Sequence, residues 1–388
     1  MQLPAALWRV IAGTTLVVLS FSLLNPVMAV RLEHMGASAT AIGFFAMLPY
    51  FSVALMVPFA PRVFKAVGVG HAYRIGLAME LVACVGYLLT ESYALWCALA
   101  LTAGVGSAAA WNATEALIAH NVPATHRGRL TGLYQTALGG AMALAPLLPG
   151  LLGLEPHGAN VVAAMCLVAG LLLSVGGDIT HLQATREDAP HMSLWSAWRA
   201  HPVLAWAALT GGVFEVGLTS VTTAYGSETG LNLAQATSIA GALGMGSFLL
   251  QYPAGWLADH MRTTKLFAGA GVILLLSAIG FAASPHWPQL MWVSATCWGA
   301  VGGALYTLSM IRVAHDFSNS SAVAGTAAMI ACYTLGGSVG PLVSGVVLDH
   351  WGLPGQAVWL GGLAASLLLA LPRMRAAQIS HAQDGSRG

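Results

Sequence analysis

The sequence predicts an all-α integral membrane protein, with twelve transmembrane helices in two pseudo-symmetric six-helix bundles. Three observations favour this fold class: the composition, the number of long apolar runs and a repeat between the two halves of the chain. Of the 388 residues, 57% are hydrophobic and only 7% are charged, whereas soluble domains carry about 25% charged residues. A chain of this composition cannot cover a surface that faces water, and we therefore expect it to lie in a lipid bilayer.

Twelve apolar runs are long enough to cross a bilayer, which takes about 20 residues per helix. A membrane barrel would instead show short segments of alternating polarity. The predicted spans cover residues 9–31, 40–61, 72–91, 94–119, 129–153, 159–178, 202–226, 234–258, 265–284, 287–312, 322–348 and 354–372. The longest polar stretch follows the sixth span. It divides the chain into an N-terminal bundle (1–178), a cytoplasmic linker (179–201) and a C-terminal bundle with a short cytoplasmic tail (202–388).

The basic residues predict the orientation of these spans, because lysine and arginine are enriched in cytoplasmic loops. With the N-terminus inside, all of the 15 basic residues except Arg31 lie in cytoplasmic loops, tails or helix ends. We therefore expect a multi-pass protein of the cell inner (plasma) membrane with both termini in the cytoplasm.

The two halves align when the sequence is shifted by 197 residues. Ile42 then falls on Ile239, Lys65 falls on Arg262, and the stretch ALGG at 137–140 falls on TLGG at 334–337. Parallel six-helix repeats of this kind place a binding site near the middle of the membrane, between the halves. The repeat therefore predicts where a ligand would bind.

The stretch GWLADHMRTTK, in the loop between the eighth and ninth spans, is apolar at its start and charged at its end. Gly255 would let two helices approach closely, Asp259 ends the span, and Arg262 follows. The stretch resembles the G-x-L-a-D loop signature of the major facilitator superfamily. The stretches HRGRLTGLY and LGGSVGPLVSG also resemble that superfamily, in a branch of small bacterial twelve-helix permeases whose substrates are mostly unassigned. The equivalent loop of the first half departs from the signature, because Arg62 takes the position of Asp259.

The resemblance implies that the first, fourth, seventh and tenth spans line a central cavity. It also implies that Asp259 docks near the start of the fifth span, beside Arg127 and Arg129, where a helix N-terminus favours an anion. The alternative is a solvated loop whose basic residues only set the topology.

Ionisable side chains inside the predicted spans are the first candidates for function, because a charge in hydrocarbon costs at least a few kcal/mol. Glu215 lies near the middle of the seventh span, and we expect it to carry a proton that couples to transport. The alternative is a permanently protonated glutamate that bonds to a neighbouring helix. Glu80, in the third span, is expected to have a structural role between helices, and a functional role is the alternative.

The 197-residue shift also places residues of opposite charge at equivalent positions. It pairs Glu115 with Arg312, and Arg31 with Glu228. We expect Arg31 and Glu228 to latch the outer gate and Glu115 and Arg312 to close or line the inner one, with the two pairs formed in alternate conformations. The alternative is that the first pair is solvated at loop edges and that Arg312 extends its side chain to the interface.

Several other polar residues lie at a plausible depth to line the cavity or to bond between helices. They are Asn25, Asn112, Gln135, Thr219, Gln251 and Tyr306. The set is mixed and modest, which indicates a small organic solute of polar or zwitterionic character.

We therefore predict a secondary active transporter for a small organic solute, driven by protons and working by alternating access. Two alternatives remain open: efflux of drugs or other small molecules by proton antiport, and a membrane receptor or assembly factor of the same fold that transports nothing. The sequence contains no zinc-protease, hydrolase or phosphate-loop motif. We expect no enzymatic activity, no cofactor or metal and no nucleic-acid partner, and we expect a monomer.

Overall fold

The computed structural model describes residues 5–56, 59–122, 124–175, 179, 199, 201–316 and 319–384. Within these ranges the chain is helical almost throughout and contains no strand. The predicted linker, 179–201, lies outside the described residues except at three positions.

The described residues of the first half form eight α-helices. They are α1 (Ala5–His34), α2 (Ala39–Met56), α3 (Ala60–Val67), α4 (Val69–Leu89), α5 (Tyr93–Asn121), α6 (Ala124–Leu144), α7 (Leu148–Leu152) and α8 (Pro156–Val175). A short 3₁₀ turn joins α6 to α7, and these two helices together form the fifth predicted span. The helix α3 was not predicted: it is short and amphipathic, it has a proline in its first turn, and it lies between the second and third spans.

The second half begins with an interrupted helix. Its elements are α9 (Pro202–Gly212), a π-helical turn (Val213–Gly217), α10 (Thr219–Glu228), α11 (Leu233–His260), α12 (Thr263–Ala282), α13 (Leu290–Asp316) and α14 (Asn319–Asp384). The helix α14 contains both of the last two spans. Gly352 divides it with a φ of 60° and a ψ of −157°, a conformation that glycine adopts without steric cost.

The membrane architecture expected from the sequence is confirmed. In the part of the chain that the structure describes, ten helical segments are long and apolar enough to cross a membrane, and the last of them runs from Ala328 to Pro372 through the kink at Gly352. The helix α13 occupies the tenth predicted span.

Each half is built around its own hydrophobic core. In the second half, Trp298 is fully buried and its ring packs against Phe281 and Phe214, with centroids 5.0 and 6.2 Å apart. In the first half, a core that includes Tyr73 and Leu77 joins α1, α4, α5 and α8. A third buried cluster, built mainly from the first half, also includes Ala224 of the second half, so apolar packing continues across the interface between the halves. The exact domain boundaries stay a prediction.

Candidate binding site between the two halves

The π-helical turn places Glu215 at the centre of the second half. The turn covers Val213–Gly217, and the Glu215 side chain is only 6% exposed. Single π turns inside α-helices are rare and frequently occur at functional sites. The turn is therefore a local feature that distinguishes this carboxyl group from an ordinary helical side chain.

Two hydroxyl groups from neighbouring helices hold the Glu215 carboxyl group. Ser247 of α11 donates to Oε1, and Tyr333 of α14 donates to Oε2 over 2.9 Å. On the third side lies Gly303 of α13, where a Cβ atom would stand 2.9 Å from Oε1. A glycine is therefore needed at that position to leave room for the carboxyl group. No basic side chain among the described residues donates to Glu215.

Aromatic side chains lie around this carboxyl group. The ring of Tyr333 packs on that of Tyr306, with centroids 4.6 Å apart and planes tilted by 42°. Tyr50, from α2 of the first half, makes an edge contact with Phe21 at 5.7 Å. Both Tyr50 and Tyr306 lie within electrostatic range of Glu215. The predicted candidates Glu215 and Tyr306 are therefore brought together by the fold.

Asn25 connects the two halves at this level. Its side-chain oxygen accepts a hydrogen bond from Ser220 of α10, and its amide also bonds with Tyr50. The Asn25 side chain was a predicted cavity candidate, whereas Ser220 was not. Together these residues extend the polar environment of Glu215 across the interface between the halves.

One end of the interface, which carries the turn between α1 and α2, is held by hydrogen bonds between the halves. Asp349 accepts from the backbone N–H groups of Ala39, at 2.9 Å, and Thr40, at 2.8 Å. These N–H groups begin α2 and have no partner within the helix, so a carboxylate is well placed there. Close by, Ser227 of α10 donates to Glu33 of α1 over 2.7 Å.

The backbones of α2 and α14 approach closely at the same end. A Cβ atom at Gly43 would overlap the carbonyl oxygen of Pro341, and a Cβ atom at Gly345 would overlap that of Ala39. Small residues at helix interfaces permit this kind of approach in membranes. We call these contacts, together with those of Asp349, the α2–α14 seam.

The predicted outer pair of Arg31 and Glu228 is not formed in this structure. Arg31 donates to the carbonyl oxygen of Tyr87 over 2.9 Å, and its guanidinium group lies 4.5 Å from the ring centroid of Trp96. Both partners belong to the first half. A carbonyl near the end of α4 and an aromatic face satisfy the cation locally, while Glu228 stays exposed. Other residues therefore hold this end of the interface.

At the predicted inner gate, Glu115 accepts a hydrogen bond from the indole of Trp111, one turn earlier in α5, at 2.8 Å. This contact agrees with the expectation that the two side chains share a face of the helix. Arg312, near the end of α13, is partly buried. The pairing of Glu115 with Arg312 stays a prediction.

The charged loop between the eighth and ninth spans does not bring helices together in this conformation. A Cβ atom at Gly255 would meet no atom within 4 Å, so the expected close approach of two helices there is wrong for this structure. Asp259 and Arg262 are exposed at the end of α11 and before α12. The docking of Asp259 stays a prediction, and the side chain of Arg127 lies outside the described residues.

The remaining candidates are less clearly part of the site. Asn112 donates to the carbonyl oxygen of Ala108 in its own helix, at 2.7 Å. Gln135 and Gln251 are exposed, and Thr219 is partly buried just after the π turn. Of these four, only Thr219 is a near neighbour of Glu215 along the chain.

Sequence reasoning missed the partners that define the site, namely Ser247, Tyr333, Ser220 and Asp349. Serine and tyrosine are common in membrane helices, so their presence alone does not distinguish them. Asp349 offered a weak signal, since it is one of few acids in a predicted outer turn. Its partners, however, are backbone groups that no side-chain pattern could indicate.

Comparison with known proteins assigns this architecture to a family. The model described as Major Facilitator Superfamily matches residues 10–341 and 228–379. The chain is 24% identical over 333 residues to the uncharacterized MFS-type transporter YfkF of Bacillus subtilis, covering 84% of each chain. It is 20% identical over 366 residues to an uncharacterized MFS-type transporter of Yersinia enterocolitica, covering 94% of each chain.

Solved structures share the fold at low sequence identity. The nucleoside transporter NupG superimposes with a TM-score of 0.77 at 12% identity, covering 95% of this chain and 98% of that one. The D-xylose-proton symporter gives a TM-score of 0.76 at 11% identity, covering 95% and 96%. The fold and the polar site between its halves therefore define a multi-pass membrane transporter of the secondary kind. The chain belongs to the Major Facilitator Superfamily.

Proposed function

We propose that the protein moves a small organic solute across the cell inner membrane by alternating access, and that Glu215 carries the coupled proton. The observation that carries this function is the placement of one buried carboxyl group in a π turn, beside the interface of the two halves. The proposal has three parts, which concern the proton, the conformational change and the cargo.

The surroundings of Glu215 favour a carboxyl group that binds and releases a proton. Its described hydrogen-bond partners, Ser247 and Tyr333, are both neutral hydroxyls. A charge held there without a cation costs at least a few kcal/mol, whereas a neutral acid fits these partners. Release of the proton then requires water or a cationic substrate group to reach Glu215, which makes proton release depend on the state of the cavity.

The distribution of contacts between the halves supports alternating access. The α2–α14 seam and the Ser227–Glu33 hydrogen bond lie at the end that carries the α1–α2 turn. With the N-terminus in the cytoplasm, as the basic residues predict, this end faces outwards. The conformation is then the one in which the site is closed to the outside.

The side chains around Glu215 indicate the chemistry of the cargo. Tyr306 and Tyr333 offer aromatic faces, and Asn25 offers an amide between the halves. This combination suits a small polar solute that stacks on a ring and makes a few hydrogen bonds. The names of the similar structures specify nucleosides, D-xylose and peptides. All three are small organic solutes, and the likeness does not favour one of them as the cargo of this protein.

A thermal-shift screen tests the function even though the substrate is not identified. Purified protein is heated with a broad panel of small solutes in acidic and in near-neutral buffer. A ligand at 100 times its dissociation constant stabilises the folded state by about 2.7 kcal/mol. We expect a hit whose stabilisation is weaker in Glu215→Gln and unchanged in Glu91→Gln, an exposed acid of the α4–α5 turn.

The hit is then followed in proteoliposomes that contain a pH-sensitive dye. We expect its uptake to move protons in the wild type and in Glu91→Gln but not in Glu215→Gln. Proton movement that persists in Glu215→Gln would contradict the coupling role. A folded protein that binds a solute but never moves it across the membrane would instead favour the alternative function, a membrane receptor of the same fold that transports nothing.

A further inference from the structure

A second buried acid, Glu80, lies inside the first half and takes no part in the site described above. It belongs to α4 and is 5% exposed. Ser107 of α5 donates to its Oε1 atom over 2.7 Å. Within the described chain, no residue bonds to Oε2. One carboxylate oxygen is thus held by a neighbouring helix, and the other has no described protein partner.

Glu80 lines a cavity of about 50 Å³ between α1, α2, α4 and α5. Most of the lining is apolar, and its other polar members are Ser20 and Asn25 of α1 and Cys84 and Tyr87 of α4. The hydroxyl of Ser20 is buried and has no hydrogen-bond partner among the described residues. A buried water needs about 10–15 Å³ and two or more polar partners. At about 50 Å³ the cavity has the volume for a water molecule, and Glu80, Asn25 and Tyr87 supply polar side chains to its wall.

The cavity reaches the interface between the two halves. Asn25 lines it and also accepts the hydrogen bond from Ser220 of the second half. A single side chain therefore connects the space beside Glu80 with the contact that holds α1 to α10.

We propose that Glu80 and this cavity form a second proton-binding site, inside the first half. A hydronium ion that enters the cavity gives its proton to a carboxylate oxygen of Glu80 and leaves as water, and a water molecule takes the proton back as hydronium when the halves move apart at Asn25. This site deepens the proposed proton coupling and rests on it. It would give the transporter two acids that exchange protons, one in each half.

The groups that face Glu80 are compatible with this role, because none of those described is a cation. The titratable side chains near it are Tyr73, Tyr87 and Cys84 of α4, with Cys166 of α8 beside Cys84. The cavity residues of α1, α2 and α5 carry no charge. An ionised Glu80 would therefore have only water and Ser107 to stabilise it, so its charge depends on the water of the cavity.

Infrared difference spectroscopy tests the site on the whole purified protein in lipid, with the proton itself as the ligand. A change from alkaline to acidic buffer reveals each buried acid that gains a proton, as a band in the carboxylic C=O region. We expect one band to disappear in Glu80→Gln and a different one in Glu215→Gln, while Glu91→Gln keeps both. A Glu80→Gln spectrum identical to that of the wild type would overturn the proposal, whatever happens to the Glu215 band.

Two further variants keep the acid and probe its surroundings. Ser107→Ala removes the hydroxyl from Oε1 and should shift the frequency of the Glu80 band. Ser20→Leu fills the cavity and should slow deuterium exchange of that band at least several-fold, whereas Ser22→Leu, on the same helix but away from the cavity, should not. An exchange rate equal to that of the wild type in Ser20→Leu would exclude the cavity as the proton's route.

Discussion

At the scale of single residues, the site depends on hydroxyl groups and glycines that surround one acid. A buried polar group that loses its partner costs about 1–3 kcal/mol, so each contact with Glu215 has a measurable consequence. The two oxygens of the carboxyl group have different partners, Ser247 and Tyr333. Substitutions can therefore separate their contributions.

Tyr333→Phe should destabilise the protein by about 1–3 kcal/mol, because it leaves Oε2 of Glu215 without its donor. The ring and its packing on Tyr306 remain. Tyr306→Phe is the matched control, since Tyr306 donates to neither oxygen of the carboxyl group. Thermal unfolding in detergent measures the stability of both variants against that of the wild type. Equal destabilisation by the two variants would show that the hydrogen bond to Glu215 is not what stabilises the site.

Gly303→Ala should disturb the site sterically. Its Cβ atom would stand 2.8 Å from the hydroxyl oxygen of Ser247 and 2.9 Å from Oε1 of Glu215, closer than packed side chains tolerate. Ser247 must then move and give up its hydrogen bond. At Gly269 of α12 a Cβ atom would meet nothing within 4 Å, and alanine in an open helical position gains up to about 1 kcal/mol.

The two alanine variants should therefore shift the unfolding temperature in opposite directions. Solute binding in the thermal-shift assay should weaken only in Gly303→Ala. A Gly303→Ala protein that binds as tightly as the wild type would mean that Ser247 is not needed at the site.

At the scale of helices, the sequence predicts which helices exist and the order in which they follow one another. It does not predict how each helix is rotated about its own axis. The twelve spans follow from hydropathy, which is a property of consecutive residues and does not depend on neighbouring helices. Local irregularities were not predicted, namely α3, the π turn and the kinked junction at Gly352. They depend on a few residues each, and tertiary packing decides their conformation.

The same limit explains which parts of the site could be predicted. Glu215 was found because a carboxyl group in an apolar run is rare. Its partner Tyr333 could not be found, because the pairing depends on how α14 is rotated against α9. The outer pair of Arg31 and Glu228 was inferred from repeat symmetry. In the structure, Arg31 instead contacts a carbonyl oxygen and an aromatic ring of its own half. The repeat in the sequence shows which residues of the two halves occupy equivalent positions, but it does not show which residues contact each other.

The close approach of α2 and α14 gives a prediction at this scale. Gly43→Ala and Gly345→Ala should each push the two helices apart, since the new methyl group would overlap a backbone carbonyl oxygen that cannot move as a side chain does. Gly362→Ala, in the same helix α14, meets nothing within 4 Å and is the control. Spin labels on the first turn of α2 and the last turn before Gly352 report the separation by pulsed EPR.

We expect a longer distance between the spin labels, or a second population at longer distance, in Gly43→Ala and Gly345→Ala. We expect no such change in the Gly362→Ala control. An unchanged distance distribution in Gly43→Ala and Gly345→Ala would show that the seam is not closely packed in the membrane.

At the scale of the whole molecule, the two halves move against each other only if contacts at one end can break. The Asp349 carboxylate is suited to this, because it binds two N–H groups of α2 without a cation to fix it. It lies in the last helical turn of α14 before Gly352 and is exposed, so water can replace those N–H groups. In the proposed alternating access, these two hydrogen bonds of Asp349 would break when this end of the protein opens.

Asp349 should also make this closure sensitive to pH. Partial burial acts to raise the pKa of Asp349, but the hydrogen bonds from Thr40, Ser38 and Ala39 outweigh burial and lower the pKa below its ordinary value. A carboxyl group with a lowered pKa in the closed state stabilises that state fully above its ordinary pKa. The contribution is lost as the pH falls through the lowered pKa, so acid should open this end of the protein.

The same pair of spin labels tests the role of Asp349 in neutral and in acidic buffer. We expect acid to increase the long-distance population in the wild type. Asp349→Asn should show that population already at neutral pH, with little further change in acid, because an amide cannot accept with both of its terminal atoms. Glu155→Gln, an exposed acid in the α7–α8 turn, should behave as the wild type. If Asp349→Asn kept the full acid response of the wild type, a group other than Asp349 would have to be the one that titrates, and the proposed role of Asp349 in the pH dependence would be wrong.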